Sequence, residues 1–95
     1  EAVAIHLNKF GSIHLNISQK EWDKLKLAHK EIVVLTIGKK KIKMPFVQTF
    51  GDVPVGKELI MKDDYGRIEV AINQGSFADK YTTQLLQKII IQKIR

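Results

Sequence analysis

Apolar and polar positions alternate twice within the first seventeen residues. Val3-Ala4-Ile5-His6-Leu7-Asn8 and Ser12-Ile13-His14-Leu15-Asn16-Ile17 flank Lys9-Phe10-Gly11. A period of two on either side of a glycine-bearing break predicts a β-hairpin. The pattern then changes. Ser18 and Glu21 have capping-box spacing, and Trp22, Leu25 and Leu27 follow as an imperfect helical stripe, which predicts a helix of about two turns. Ile32 to Ile37 is a β-branched run ending at Gly38. Lys40 to Phe46 is placed to pair with it across Gly38-Lys39, with Pro45 making the second strand an edge or ending it early.

The second half repeats the theme. Val47 to Phe50 reads as extended, Gly51 to Gly56 as a turn-rich loop and Glu58 to Lys62 as a strand. Asp63-Asp64-Tyr65-Gly66 has turn chemistry, because Asp side chains bond to local backbone and glycine accepts positive φ. It leads into Arg67 to Ile72, where Ile68, Val70 and Ile72 share one face. Ser76 to Tyr81 predicts one helical turn and Ile89 to Ile94 a closing strand. Seven or eight short strands with one or two short helices indicate a mainly β fold, a small antiparallel β-barrel.

Length and composition fit one such domain spanning residues 1–95. Hydrophobic residues make up 44% and charged residues 27% of the chain, a balance that supports a packed core. There is no cysteine, which excludes disulfides and thiolate metal sites and permits a reducing, cytoplasmic location. No membrane span or signal peptide is legible. The alternation starts almost at Glu1 without a leading Met, the look of an excised domain.

The net charge of +6 is uneven. Residues 1–43 carry nine Lys against four acids, and Lys39, Lys40, Lys41 and Lys43 lie close together. Such a tract attracts phosphates, and it also protects an exposed hairpin edge. His6 and His14 have the parity to share a face of the first hairpin. With no Cys and no carboxylate near them in sequence, no metal site is expected, and cross-strand pairing is the simpler reading. No nucleophile elbow, triad or phosphate loop is present. Phe10, Phe50 and Tyr65 each precede a glycine, so they serve either as strand-end anchors or as faces that stack on a nucleobase.

Three segments resemble one family. Asp64-Tyr65-Gly66-Arg67-Ile68-Glu69-Val70-Ala71-Ile72-Asn73-Gln74-Gly75-Ser76 is similar to the D-S-F-G-R-L-E-I-A-V-N-Q-G signature of the adenosine-forming S-adenosylmethionine hydrolases, relatives of fluorinase and chlorinase. His6 to Ile17 resembles their D-x-F-G-N-L-x-T-N-I hairpin, and Thr49 to Gly56 their T-Y/F-x-D-V-x-x-G loop. The resemblance implies the C-terminal domain of a two-domain enzyme that cleaves S-adenosylmethionine with water to adenosine and methionine. It also implies a homotrimer, a substrate held against the N-terminal catalytic domain of a neighbouring subunit, and no separate cofactor. On this analogy Phe10 and Phe50 line the adenine, Ser12 faces its polar edge, the backbone of Asn73, Gln74 and Gly75 bonds to it, and Asp64 and Tyr65 lie near the methionine portion. No catalytic residue falls in this chain, so the isolated domain is expected to be inactive. The sequence departs from the pattern at Ser12, where the family has Asn, and at Asp64, where it has Ser. The alternatives are a stand-alone barrel binding single-stranded nucleic acid through Lys39 to Lys43 and a purely structural oligomerisation module.

Overall fold

The computed structural model describes residues 2–7 as backbone and residues 11–63, 66–83 and 87–93 in full. Among the described residues there are seven strands: β1 (Ala2–Leu7), β2 (Ile13–Leu15), β3 (Ile32–Ile37), β4 (Lys40–Val47), β5 (Glu58–Lys62), β6 (Ile68–Ile72) and β7 (Lys88–Lys93). They close into a barrel in the order β1-β2-β6-β5-β4-β3-β7. The predicted hairpins form as expected, β1 with β2, β3 with β4 and β5 with β6. Four further contacts complete the circle: β2 with β6, β4 with β5, and β7 lying antiparallel between β1 and β3. Every pairing is antiparallel except that of β4 with β5, where Phe46 pairs with Ile60 and Val47 with Met61 in parallel.

Pro45 neither ends β4 nor leaves it at an edge. The Phe46 N–H donates to the Glu31 carbonyl at 2.8 Å, so the nitrogen of Pro45, one residue earlier, points away from β3. The ladder on that other side begins only at Phe46. The missing donor of Pro45 therefore falls where neither neighbour needs it.

Alternation supplies the core. Ile13, Leu15, Val33, Leu35, Ile37, Ile42, Met44, Ile60, Ile68, Val70, Ile72 and Ile89 fill the barrel. Helix α1 (Gln19–Asp23) follows the end of the barrel where β6 begins, and α2 (Phe77–Tyr81) the end where β6 finishes. Each contributes one buried aromatic, Trp22 and Phe77. The expected capping box is present, with Ser18 Oγ accepting from the Glu21 N–H and Glu21 Oε1 accepting from the Ser18 N–H. At five residues α1 is shorter than two turns; Trp22 packs edge-on against Phe46 at 5.2 Å and fixes its place. Strand β6 is buried on both faces, because Ala71 on its outer side lies under the β4–β5 connection with Val47, Val53 and Leu59.

Candidate functional site

The parallel β4–β5 pairing forces the chain between them to travel back along the outside of the barrel. Val53 anchors that connection in the outer apolar cluster, and Asn73 Nδ2 ties it down through a 2.9 Å bond to the Val53 carbonyl. Two backbone bonds add to this, Gly56 N–H to Asn73 O at 2.8 Å and Asn73 N–H to Lys57 O at 3.0 Å. Within the connection, Phe50 opens a 3-10 turn (Phe50–Asp52). Asp52 Oδ2 accepts from the backbone N–H groups of Gln48 and Thr49, both at 3.2 Å. The Gln48 N–H is the largest influence on the Asp52 carboxyl and, against the opposing effect of burial, it acts with Thr49 and nearby His29 to hold that group below its ordinary range. An ionised Asp52 keeps the turn closed.

The β1–β2 turn reaches the same place from the other side. Gly11 has φ +83°, and a Cβ built on it would lie 1.9 Å from Ser76 Oγ and 2.8 Å from Ser76 Cα. The Ala78 N–H donates to the Gly11 carbonyl at 2.9 Å. Only glycine permits this approach, and it sets Ser12 beside the turn that leaves β6. That turn is closed by a Gly75 N–H to Ile72 O bond of 3.2 Å and holds Gln74 at φ +58°. A Cβ at Gly75 would meet Ile72 Cγ2 at 2.8 Å, so this glycine too marks a close approach.

These three segments border an open pocket of about 480 Å³ lined by Ser12, Phe50, Ile72, Asn73, Gln74 and Gly75. Its size lies in the range of small-molecule sites. Phe50 is 37% exposed, leaving aromatic surface free for a flat ligand, and buried Ser12 forms part of the opposite wall. Five of the residues expected from the sequence thus meet in one place: Ser12, Phe50, Asn73, Gln74 and Gly75. The other three, Phe10, Asp64 and Tyr65, lie outside the described residues. Ile72 is not marked as a site residue by the sequence, because its alternation with Ile68 and Val70 assigns it to the core; it is both, at the barrel end where core becomes cavity floor. The Asn73 side chain also has a role that the sequence does not announce, bracing the loop that carries Phe50.

A comparison with family models decides the affiliation. Residues 3–90 match the model of the SAM hydroxide adenosyltransferase C-terminal domain. The chain belongs to that family. Among solved structures, this SAM hydroxide adenosyltransferase C-terminal domain is similar to an uncharacterized conserved protein from Thermotoga maritima, with 26% identity and a TM-score of 0.92 over 97% of this chain and 35% of that one. A conserved hypothetical protein from Thermus thermophilus shares the fold at 20% identity, with a TM-score of 0.69 over 98% of this chain and 34% of that one. The domain thus spans about a third of the length of these two proteins. No curated protein matches the sequence. Among the described residues no helix is long and apolar enough to cross a membrane.

The remaining sequence-level candidates have different surroundings. Lys39, Lys40, Lys41 and Lys43 are exposed on the β3–β4 hairpin. An aromatic ring near them, Tyr81 at 5.9 Å from Lys40 Nζ, is packed on Phe77 and hydrogen-bonded to Glu58. His6 and His14 are register partners across β1 and β2. His14 does have carboxylates beside it: Glu69, its register partner on β6, and Asp63 at the end of β5. Both are about fifty residues away in sequence, which is why proximity along the chain gives no hint of them.

Proposed function

We propose that this domain is the adenine-binding half-site of an adenosine-forming S-adenosylmethionine hydrolase-like enzyme. The observation that carries the reading is the convergence of Ser12, Phe50 and Asn73 to Gly75, from three separate segments, on one cavity. Phe50 stacks on the adenine, with Phe10 as the second aromatic wall. Ser12 and the backbone from Asn73 to Gly75 meet the polar edge of the base, and Asp64 and Tyr65 lie toward the methionine portion. Backbone groups held by a sheet lose little freedom on binding.

In the full-length homotrimer the N-terminal domain of a neighbouring subunit completes the site and supplies the catalytic groups. Water, losing a proton to those groups, attacks the ribose 5′ carbon; the C5′–S bond breaks, and methionine leaves with the sulfur lone pair. The barrel contributes positioning. The isolated domain therefore binds adenosine and does not turn over S-adenosylmethionine.

An amide NMR titration tests this. Adenosine should shift resonances confined to residues 11–12, 50 and 72–76, and Phe50→Ala should move those shifts to higher adenosine concentration. An oligonucleotide response centred on Lys39 to Lys43 and lost as salt rises, with the cavity silent to adenosine, would replace the reading with a nucleic-acid barrel. Silence to both ligands would leave an assembly module without a working pocket.

A further inference from the structure

We infer a divalent-metal site on the outer face of the barrel, built from His14, Asp63 and Glu69. The three residues come from β2, the end of β5 and β6, and one donor atom of each lies within 4.8 Å of the others. His14 Nε2 is 3.2 Å from Glu69 Oε1 and 3.7 Å from Asp63 Oδ2. The side chains are 7%, 10% and 11% exposed for His14, Glu69 and Asp63. The donors are thus largely withdrawn from water and already grouped.

The spacing decides between two readings of the cluster. As a hydrogen-bonded set it is loose, since 3.2 Å is the outer edge of the normal range and 3.7 Å lies beyond it. Around a tetrahedral ion with bonds of about 2.0–2.2 Å, neighbouring ligands sit roughly 3.3–3.6 Å apart. The two distances bracket that value, and the two carboxylates lie within 4.8 Å of each other, so the three donors are already gathered to within reach of one ion.

The surrounding contacts also suit an ion. The Arg67 N–H donates to Asp63 Oδ1 at 2.9 Å and Arg67 Nε to Asp63 Oδ2 at 3.0 Å. These bonds orient the carboxylate, as outer-shell partners of metal ligands do. Two carboxylates against one guanidinium leave one negative charge, which a divalent cation more than balances. One imidazole nitrogen with two carboxylate oxygens suits a first-row ion, zinc foremost, with water completing the shell. The site lies apart from the cavity: none of its three residues lines that space. Its effect is to clamp β2 to the β5–β6 hairpin.

The test uses the 95-residue chain, freed of metal with a chelator and titrated with Zn2+ by calorimetry, then with Co2+ for its visible absorption. One equivalent should bind, with Co2+ giving the intense bands of a tetrahedral site. At a hundredfold excess over Kd the melting temperature should rise by roughly 10–20 °C. His14→Ala and the near-isosteric Glu69→Gln should each weaken binding at least about 100-fold, Glu69→Gln while keeping the amide spectrum of a folded barrel, and His29→Ala should leave it unchanged. Absence of stoichiometric binding, or binding indifferent to both Glu69→Gln and His14→Ala, would overturn the assignment.

Discussion

Replacing Gly11 with alanine tests how the cavity is assembled, because two separable penalties apply there. The first is conformational: φ is +83°, and a side chain in left-handed backbone costs about 1–2 kcal/mol. The second is steric. Ser76 Oγ can rotate away from the new methyl group, but Ser76 Cβ at 2.5 Å and Cα at 2.8 Å cannot, so the segment entering α2 must move. Overpacking of this kind costs roughly 1–3 kcal/mol. The same movement strains the Ala78 N–H to Gly11 O bond and the Asp79 N–H to Ser76 Oγ bond. We expect a total of about 3–5 kcal/mol, against a whole-domain stability of roughly 5–14 kcal/mol for a chain of this length. Gly38→Ala is the control, since Gly38 has φ +58° but nothing within 4 Å of where its Cβ would be; it should cost only about 1–2 kcal/mol. Urea denaturation followed by Trp22 fluorescence measures both, because Trp22 is the sole tryptophan and is buried. If Gly11→Ala proves no more harmful than Gly38→Ala, the close approach is not what holds the β1–β2 turn against the β6 exit.

Three further outcomes are expected. Gln74→Gly should stabilise the domain by about 0.5–1 kcal/mol, because relief of its positive φ outweighs the extra freedom glycine gives the unfolded chain; chemical denaturation reads this directly, and a loss of stability would contradict it. Phe50→Ala should weaken adenosine binding by about 1–3 kcal/mol, the usual worth of one stacked base; equal affinity in an NMR titration would remove Phe50 from the site. Tyr81→Phe should cost about 1–2 kcal/mol and flatten the acid limb of the stability profile. Burial alone would raise the Glu58 carboxyl, but the bonds from Lys80 and Tyr81 hold it below its ordinary 4.5. That contribution is complete above about pH 4.5 and is lost as pH falls through the lowered value. Burial, then Glu58, raises Tyr81 above 10.0, so its share is complete below about pH 10 and disappears as pH rises through the raised value. An unchanged acid limb in the Tyr81→Phe variant would argue against this account.

What the sequence reveals about this domain follows the range of the interactions involved. The three hairpins are legible because adjacent strands share a short turn and a period of two. Ser18 and Glu21 announce α1 because capping is local. Barrel closure through β7, and the parallel match of Phe46 with Ile60, depend on strands far apart in sequence with no shared turn. Pro45 misleads for the same reason: whether a missing N–H matters depends on which neighbour faces it. At the cavity, the family resemblance points to Ser12, Phe50 and Asn73 to Gly75, whereas core periodicity hides Ile72. The pairing of His14 with Asp63 and Glu69 requires the register of β2, β5 and β6, which no local pattern encodes.

The placement of β7 also bears on how the domain is made. Among the described residues the strand latest in sequence sits between the first and the third, so during synthesis β1 and β3 each keep an unpaired edge until residues 88–93 have left the ribosome. The nascent barrel passes through a stage with two adhesive edges and an unsealed core. Slow closure follows from that order, and β1 and β3 are the surfaces a chaperone would have to shield.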